Sequence, residues 1–223
     1  MNSLSGKLLY AFGSSIVNGH LANVSFVEDI AKDNHMNYRK FAVNGATSNT
    51  SDSNNILKQV VNAPNTIPDF IIFDCWANDA YPEIADNPQK FGVITPDFDS
   101  KFKTDTYCGG LEAVCKALVE KYEGAQFILL ATHKTPAREY RVQRQMYEAA
   151  MKIADKWSFN VVDLFNHGSF NAFIKAYQYD YSYDKVDQFG GNHAYGGSGT
   201  HPNAYGYRKF YDPIITQKLL SLV

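Results

Sequence analysis

Five short apolar runs, alternating with stretches of helical period, limit what this chain can become more than any other feature. The runs are residues 7–12, 38–43, 70–73, 127–130 and 160–164. Each is too short for a helix and has the length of a strand buried on both faces of a parallel sheet. Between them, Val27, Ile30 and Ala31 share a helical face, as do Leu111, Val114, Cys115, Leu118, Val119 and Tyr122, and then Val142, Met146, Ala149, Ile153 and Trp157. Ser25-Phe26-Val27-Glu28 has capping-box spacing, and a short helix is expected at about 53–62. Parallel neighbours need a crossover, which these helices supply in the right-handed sense. The pattern predicts a three-layer α/β sandwich with a flavodoxin-like five-stranded parallel sheet in the order 2-1-3-4-5. The run 70–73, the most apolar of the N-terminal half, should lie centrally.

Two stretches break the alternation. Residues 80–105 are rich in Pro, Asp and Phe, and read as an insertion forming a lid or pocket wall at the sheet's active edge. Residues 177–197 carry Tyr177, Tyr179, Tyr181, Tyr183, Phe189 and Tyr195. These rings either pack on one another or form a wall for a sugar or acyl group. Near the end, Asp212-Pro213 falls inside an expected helix starting near Asn203, and should kink or split it. Neither insertion is a linker, so residues 1–223 are expected to form a single domain.

Composition removes several function classes. A formal net charge of −2 with no basic run is a poor match for a nucleic-acid backbone. No stretch approaches the ~18 apolar residues of a membrane span, and the first residues lack a basic segment followed by a long apolar one, so a cytoplasmic location is expected. Cys75, Cys108 and Cys115 are odd in number and lack close pairing, so no disulfide framework or metal site is expected, and Cys75 and Cys115 read as core residues. There is no P-loop, no Gly-x-Gly-x-x-Gly and no Gly-x-Ser-x-Gly elbow, so no cofactor is expected and a close α/β-hydrolase match is excluded.

Chemistry collects at the strand ends. Gly13-Ser14-Ser15 follows the first run, Asn44-Gly45-Ala46-Thr47 the second, and Trp76-Ala77-Asn78-Asp79 the third; parallel strands bring all three loops to one edge. With Thr200-His201-Pro202-Asn203 they supply what acyl transfer requires. Ser15 would be the nucleophile and His201 its base; the oxyanion donors would be the N–H groups of Ser15 and Gly45 and the amide of Asn78. His133, after the fourth run, is the rival base, whereas His20, His35, His167 and His193 read as surface residues. A histidine of ordinary basicity would give activity that falls below about pH 6 to 7.

These four blocks resemble those of the SGNH hydrolases, or GDSL esterases and lipases, whose Ser, Gly, Asn and His occur in this order. The resemblance spans nearly the whole chain. It implies a serine ester hydrolase acting on a small-molecule or carbohydrate ester, acetyl esters among them. Three positions depart from the family: Ser14 stands for the Asp of Gly-Asp-Ser, Ala77 for a glycine, and Ser198 for the closing carboxylate that orients the histidine. Either a carboxylate enters from elsewhere, with Asp184 and Asp187 the nearest in sequence, or Ser198 or a backbone carbonyl orients His201 in a Ser-His dyad. The alternative is a catalytically weak or inactive module of this fold that binds a glycan or a protein partner. Oligomeric state is not legible in the chain.

Overall fold

The structure is a computed structural model describing residues 3–22, 24–182 and 198–223. Its elements run β1 (Leu8–Phe12), α1 (Ser15–Asn18), α2 (Phe26–Asp33), β2 (Asn37–Lys40), α3 (Ile56–Asn62), β3 (Phe70–Phe73), α4 (Pro82–Ala85), α5 (Pro88–Phe91) and α6 (Tyr107–Lys121). Then follow β4 (Gln126–Ala131), α7 (Tyr140–Lys156), β5 (Asn160–Asp163), α8 (Leu164–His167), α9 (Lys175–Tyr181), α10 (Ala204–Gly206), a π turn (Tyr207–Tyr211) and α11 (Asp212–Leu220). All strand pairs are parallel, in the order β2-β1-β3-β4-β5. The expected α/β sandwich and strand order are therefore what the chain adopts, with β3 in the middle. No helix among the described residues is long and apolar enough to cross a membrane.

Alternation along the strands builds the two outer layers. Leu9, Ala11, Phe70, Ile72, Ile128 and Leu130 face α2 and the C-terminal helices, while Tyr10, Phe12, Ile71, Phe73, Leu129 and Ala131 face α3, α6 and α7. Cys75, Cys108 and Cys115 are buried free thiols. The capping box of α2 is formed, with Glu28 Oε2 accepting from Ser25 N at 2.9 Å. β2 is shorter than the run 38–43 suggests, but its direction continues: Phe41 N donates to Ala11 O (2.8 Å) and Val43 N to Gly13 O (3.0 Å). That continuation carries the second loop to the level of the first.

Two features differ from expectation. The expected break falls slightly earlier than Asp212-Pro213: after α10 the chain passes through a π turn, and α11 then starts at Asp212 with Pro213 in its first turn, where a missing N–H costs no ladder bond. The insertion after residue 80 is not a lid along its whole length. Lys156, at the end of α7 and thus toward the amino edge of β5, donates to the carbonyls of Thr95 (2.8 Å) and Asp97 (2.7 Å) and to the buried carboxylate of Glu112. Glu112 in turn accepts from Thr95 N (2.9 Å), and Phe98 and Phe102 stand edge-on to Trp157. This part of the segment is a strap along α6 and α7, away from the carboxyl edge, whereas its start at Tyr81 stays beside the third loop. Removing one member of a buried ion pair leaves the other uncompensated, so Glu112→Ala should lower unfolding free energy by about 3–5 kcal/mol. Urea denaturation at neutral pH checks this, and an unchanged midpoint would mean that the strap is held by its rings alone.

Candidate active site

The first loop is fixed by what stands next to it. Gly13 leaves β1 with φ of 132°, and a Cβ there would lie 2.1 Å from Asp74 Oδ1. The missing side chain makes room for that carboxylate, which accepts from Ser14 N at 2.7 Å and from Ser14 Oγ at 2.5 Å. Gln59 grips the same turn from α3, accepting from Gly13 N (2.8 Å) and donating to Gly13 O (2.9 Å). Ser14 caps α1, so Ser15 is its first residue, buried and with its N–H outside the helical ladder. Burial pushes the Asp74 carboxyl up to about 6, against the lowering effect of the two Ser14 bonds.

Ser15 Oγ lies 3.0 Å from His201 Nε2. The loop bearing His201 is braced by His133, the rival base, which lies elsewhere. His133 is buried, stacked on Phe170 with centroids 4.3 Å apart; its Nε2–H donates to Gly199 O (2.8 Å) and its Nδ1 accepts from the Tyr211 hydroxyl (2.5 Å). Burial holds it down to about 4, so it stays neutral and positions the loop.

His201 Nδ1 is buried and has no hydrogen-bond partner among the described residues. Ser198 does not orient it: Ser198 Oγ accepts from Thr200 N (3.3 Å), a turn within its own loop, and makes no bond to Nδ1. Asp184 and Asp187 lie outside the described residues, as do Tyr183, Phe189, His193 and Tyr195. The ring is instead confined by its neighbours. His20, expected on the surface, packs on it edge-to-face with centroids 4.9 Å apart. Asn44 Nδ2 donates to His20 Nδ1 (2.9 Å), which sets the His20 tautomer with its proton on Nε2, and Asn18 Nδ2 donates to Asn44 Oδ1 (2.8 Å). Burial, followed by the charges of His20, His133 and Arg138, pushes the His201 imidazole down to about 4. With that lowered basicity the acid limb is expected below the pH 6 to 7 that an ordinary imidazole would give.

The second and third loops are tied together. Asn78 Nδ2 donates one hydrogen to Ala46 O (2.9 Å), leaving its second N–H free to point at a ligand. Buried Asp79 accepts from Ser48 N (2.8 Å) and Asn49 Nδ2 (3.2 Å), and burial raises its carboxyl to about 7. Gly45 is exposed with φ of 79°, a left-handed conformation that suits glycine. The arrangement can hold a nucleophile, a neutral base and amide donors in one place. Sequence reasoning missed Asp74, Gln59, His20 and Asn44. Asp74 carried a usable signal, being a carboxylate placed directly after the most apolar strand.

Chain-wide similarity agrees with this geometry. The GDSL-like Lipase/Acylhydrolase family model matches residues 11–209. A crystal structure of a protein from Lactobacillus plantarum is 19% identical with TM-score 0.73, covering 97% of this chain and 96% of that one. The lipase/acylhydrolase from Enterococcus faecalis is 16% identical with TM-score 0.60, covering 96% of each chain. A member of the lipolytic protein G-D-S-L family from Veillonella parvula is 16% identical with TM-score 0.55 and 96% coverage of each. No curated protein sequence matches the chain. With a strand order, loop placement and family match that span the chain from β1 to the turn before α11, this protein belongs to the GDSL-like lipase/acylhydrolase family.

Proposed function

We propose that the protein is a serine ester hydrolase of the SGNH type, working through a Ser15-His201 dyad on a small or carbohydrate ester. The observation that carries this reading is the 3.0 Å approach of Ser15 Oγ to His201 Nε2 across 186 residues of chain. Ser15 Oγ attacks the acyl carbon as its proton passes to Nε2. The carbonyl oxygen becomes an oxyanion facing the N–H groups of Ser15 and Gly45 and the free N–H of Asn78. The imidazolium then gives its proton to the leaving alkoxide, and water repeats the cycle to release the acid. Accepting at Nε2 requires the ring proton on Nδ1, where no described residue receives it. Loss of the orienting carboxylate costs roughly 10⁴-fold in serine proteases, so slow turnover is expected.

The same unpartnered Nδ1 favours a second reading, a binding module for a glycan or protein that retains the site without useful catalysis. Hydrolysis of p-nitrophenyl acetate separates the two. For the esterase, Ser15→Ala and His201→Ala should abolish turnover alike, while Asn78→Ala should lose about 10²- to 10³-fold in kcat, as loss of one oxyanion donor does. Activity surviving in Ser15→Ala would refute the assignment.

The pH profile follows from the lowered basicity of His201. The active form is the neutral ring, so kcat/KM should stay level as pH falls from 8 to about 5 and drop only near the depressed value of about 4. An acid limb at 6 to 7 would mean that the ring keeps ordinary basicity, through solvation or an anionic partner. Ser198→Asp restores a carboxylate at the family's position, and should raise both the rate and the pH of that limb.

A further inference from the structure

The loop after β4 presents a guanidinium that no carboxylate among the described residues neutralises. Gln143, buried at the start of α7, clamps this loop: its Oε1 accepts from Thr135 N (2.9 Å), and its Nε2 donates to the carbonyls of Thr135 (2.8 Å) and Arg138 (2.8 Å). Thr135 Oγ1 lies 3.2 Å from Thr200 Oγ1, next to His201, which joins the loop to the one bearing the base. From this fixed turn the Arg138 guanidinium lies over the ring of Tyr81, 4.1 Å from its centroid, and Tyr81 is three residues beyond Asn78. Arg138 thus stands between the third and fourth loops.

Its polar atoms are poorly used. Nη1 donates to Ala137 O (2.9 Å), while Nε is buried with no acceptor among the described residues. No carboxylate among those residues pairs with it. The nearby acids are taken by Arg141, which holds Asp86 through two bonds of 2.6 and 2.8 Å and lies 3.6 Å from Glu139. An unpaired, partly desolvated guanidinium is costly, and here it also opposes the positive charge that His201 must acquire. A bound anion would remove both penalties, and a planar guanidinium recognises carboxylate or phosphate oxygens through paired N–H donors.

We infer that Arg138 is the anion-recognising residue of this site, and that the ester it takes carries a carboxylate or phosphate close to the scissile bond. The inference rests on the proposed esterase reading for the word ester, but the anion site itself can be tested without turnover. Matched pairs separate the charge from the rest of the molecule: 4-acetoxybenzoate against its methyl ester for the alcohol side, and mono-p-nitrophenyl adipate against p-nitrophenyl hexanoate for the acyl side. In at least one pair, Arg138→Ala should lower the anionic-to-neutral ratio of kcat/KM by about 10- to 100-fold, the range for a hydrogen bond to a charged group. Arg138→Lys should recover part of the ratio, and Arg138→Gln, which keeps a planar amide over Tyr81, should not. Calorimetric titration of Ser15→Ala with benzoate, phenyl phosphate and benzamide supplies the second readout. At least one anion should bind where benzamide does not, and adding Arg138→Ala should abolish that binding; which anion binds tells carboxylate from phosphate. Ratios within about twofold of wild type in both pairs, or benzamide binding as well as the anions, would overturn the inference. Arg138-dependent anion binding with no ester hydrolysed would uphold it and sink the esterase reading, whereas hydrolysis without Arg138-dependent selectivity or binding would do the reverse.

Discussion

The site depends on the approach of one carboxylate to one missing side chain. Asp74 can reach the backbone and hydroxyl of Ser14 only because Gly13 has no Cβ where its oxygen stands. The contact joins the ends of β1 and β3, neighbours in the sheet, and fixes the turn from which Ser15 is presented. The carboxylate that the family carries at position 14 is absent here, yet an acid still meets this turn, supplied by the adjacent strand. Gln59 completes the hold from the helical layer with a donor and an acceptor on the same glycine.

Most of the fold was legible because its signal is local. Runs such as 70–73 and 127–130 declare buried parallel strands by composition alone, and parallel strands leave few sheet orders for a chain of this length. The four blocks of the site were legible for the same reason, each standing directly after a strand or at a helix start. What was not legible is contact between residues far apart. Nothing near His20 says that it will lie on His201, because that depends on Asn18 and Asn44 meeting across 26 residues. Nor could spacing show that Lys156 would draw residues 95–102 along α7, since a segment without period gives no direction. The π turn escaped because nothing in the spacing of residues 207–211 distinguishes it from an ordinary helical turn, although Tyr207 and Tyr211 are both buried there.

Around the reacting pair the fold uses groups that stay uncharged. Gln59, Gln143, Asn44 and His133 hold the turns through amide and imidazole hydrogen bonds. Buried Asp74 and Asp79 both have raised carboxyl pKa values, at about 6 and 7, so their charge is resisted by the same burial that fixes them. In such surroundings burial is the main influence lowering the basicity of His201, with smaller contributions from His20, His133 and Arg138.

The π turn places Tyr207 and Tyr211 inward on the same stretch of helix. The Tyr207 hydroxyl donates to Ile16 O (2.7 Å), in the helix that begins with Ser15, and the Tyr211 hydroxyl reaches His133, which in turn holds the loop of His201. The two partners of the 3.0 Å contact are therefore both linked, through one hydroxyl each, to the same short stretch of chain. Displacement of that stretch would bear on the oxygen and the nitrogen at once, so their separation is coupled to the packing of two tyrosine rings far along the chain.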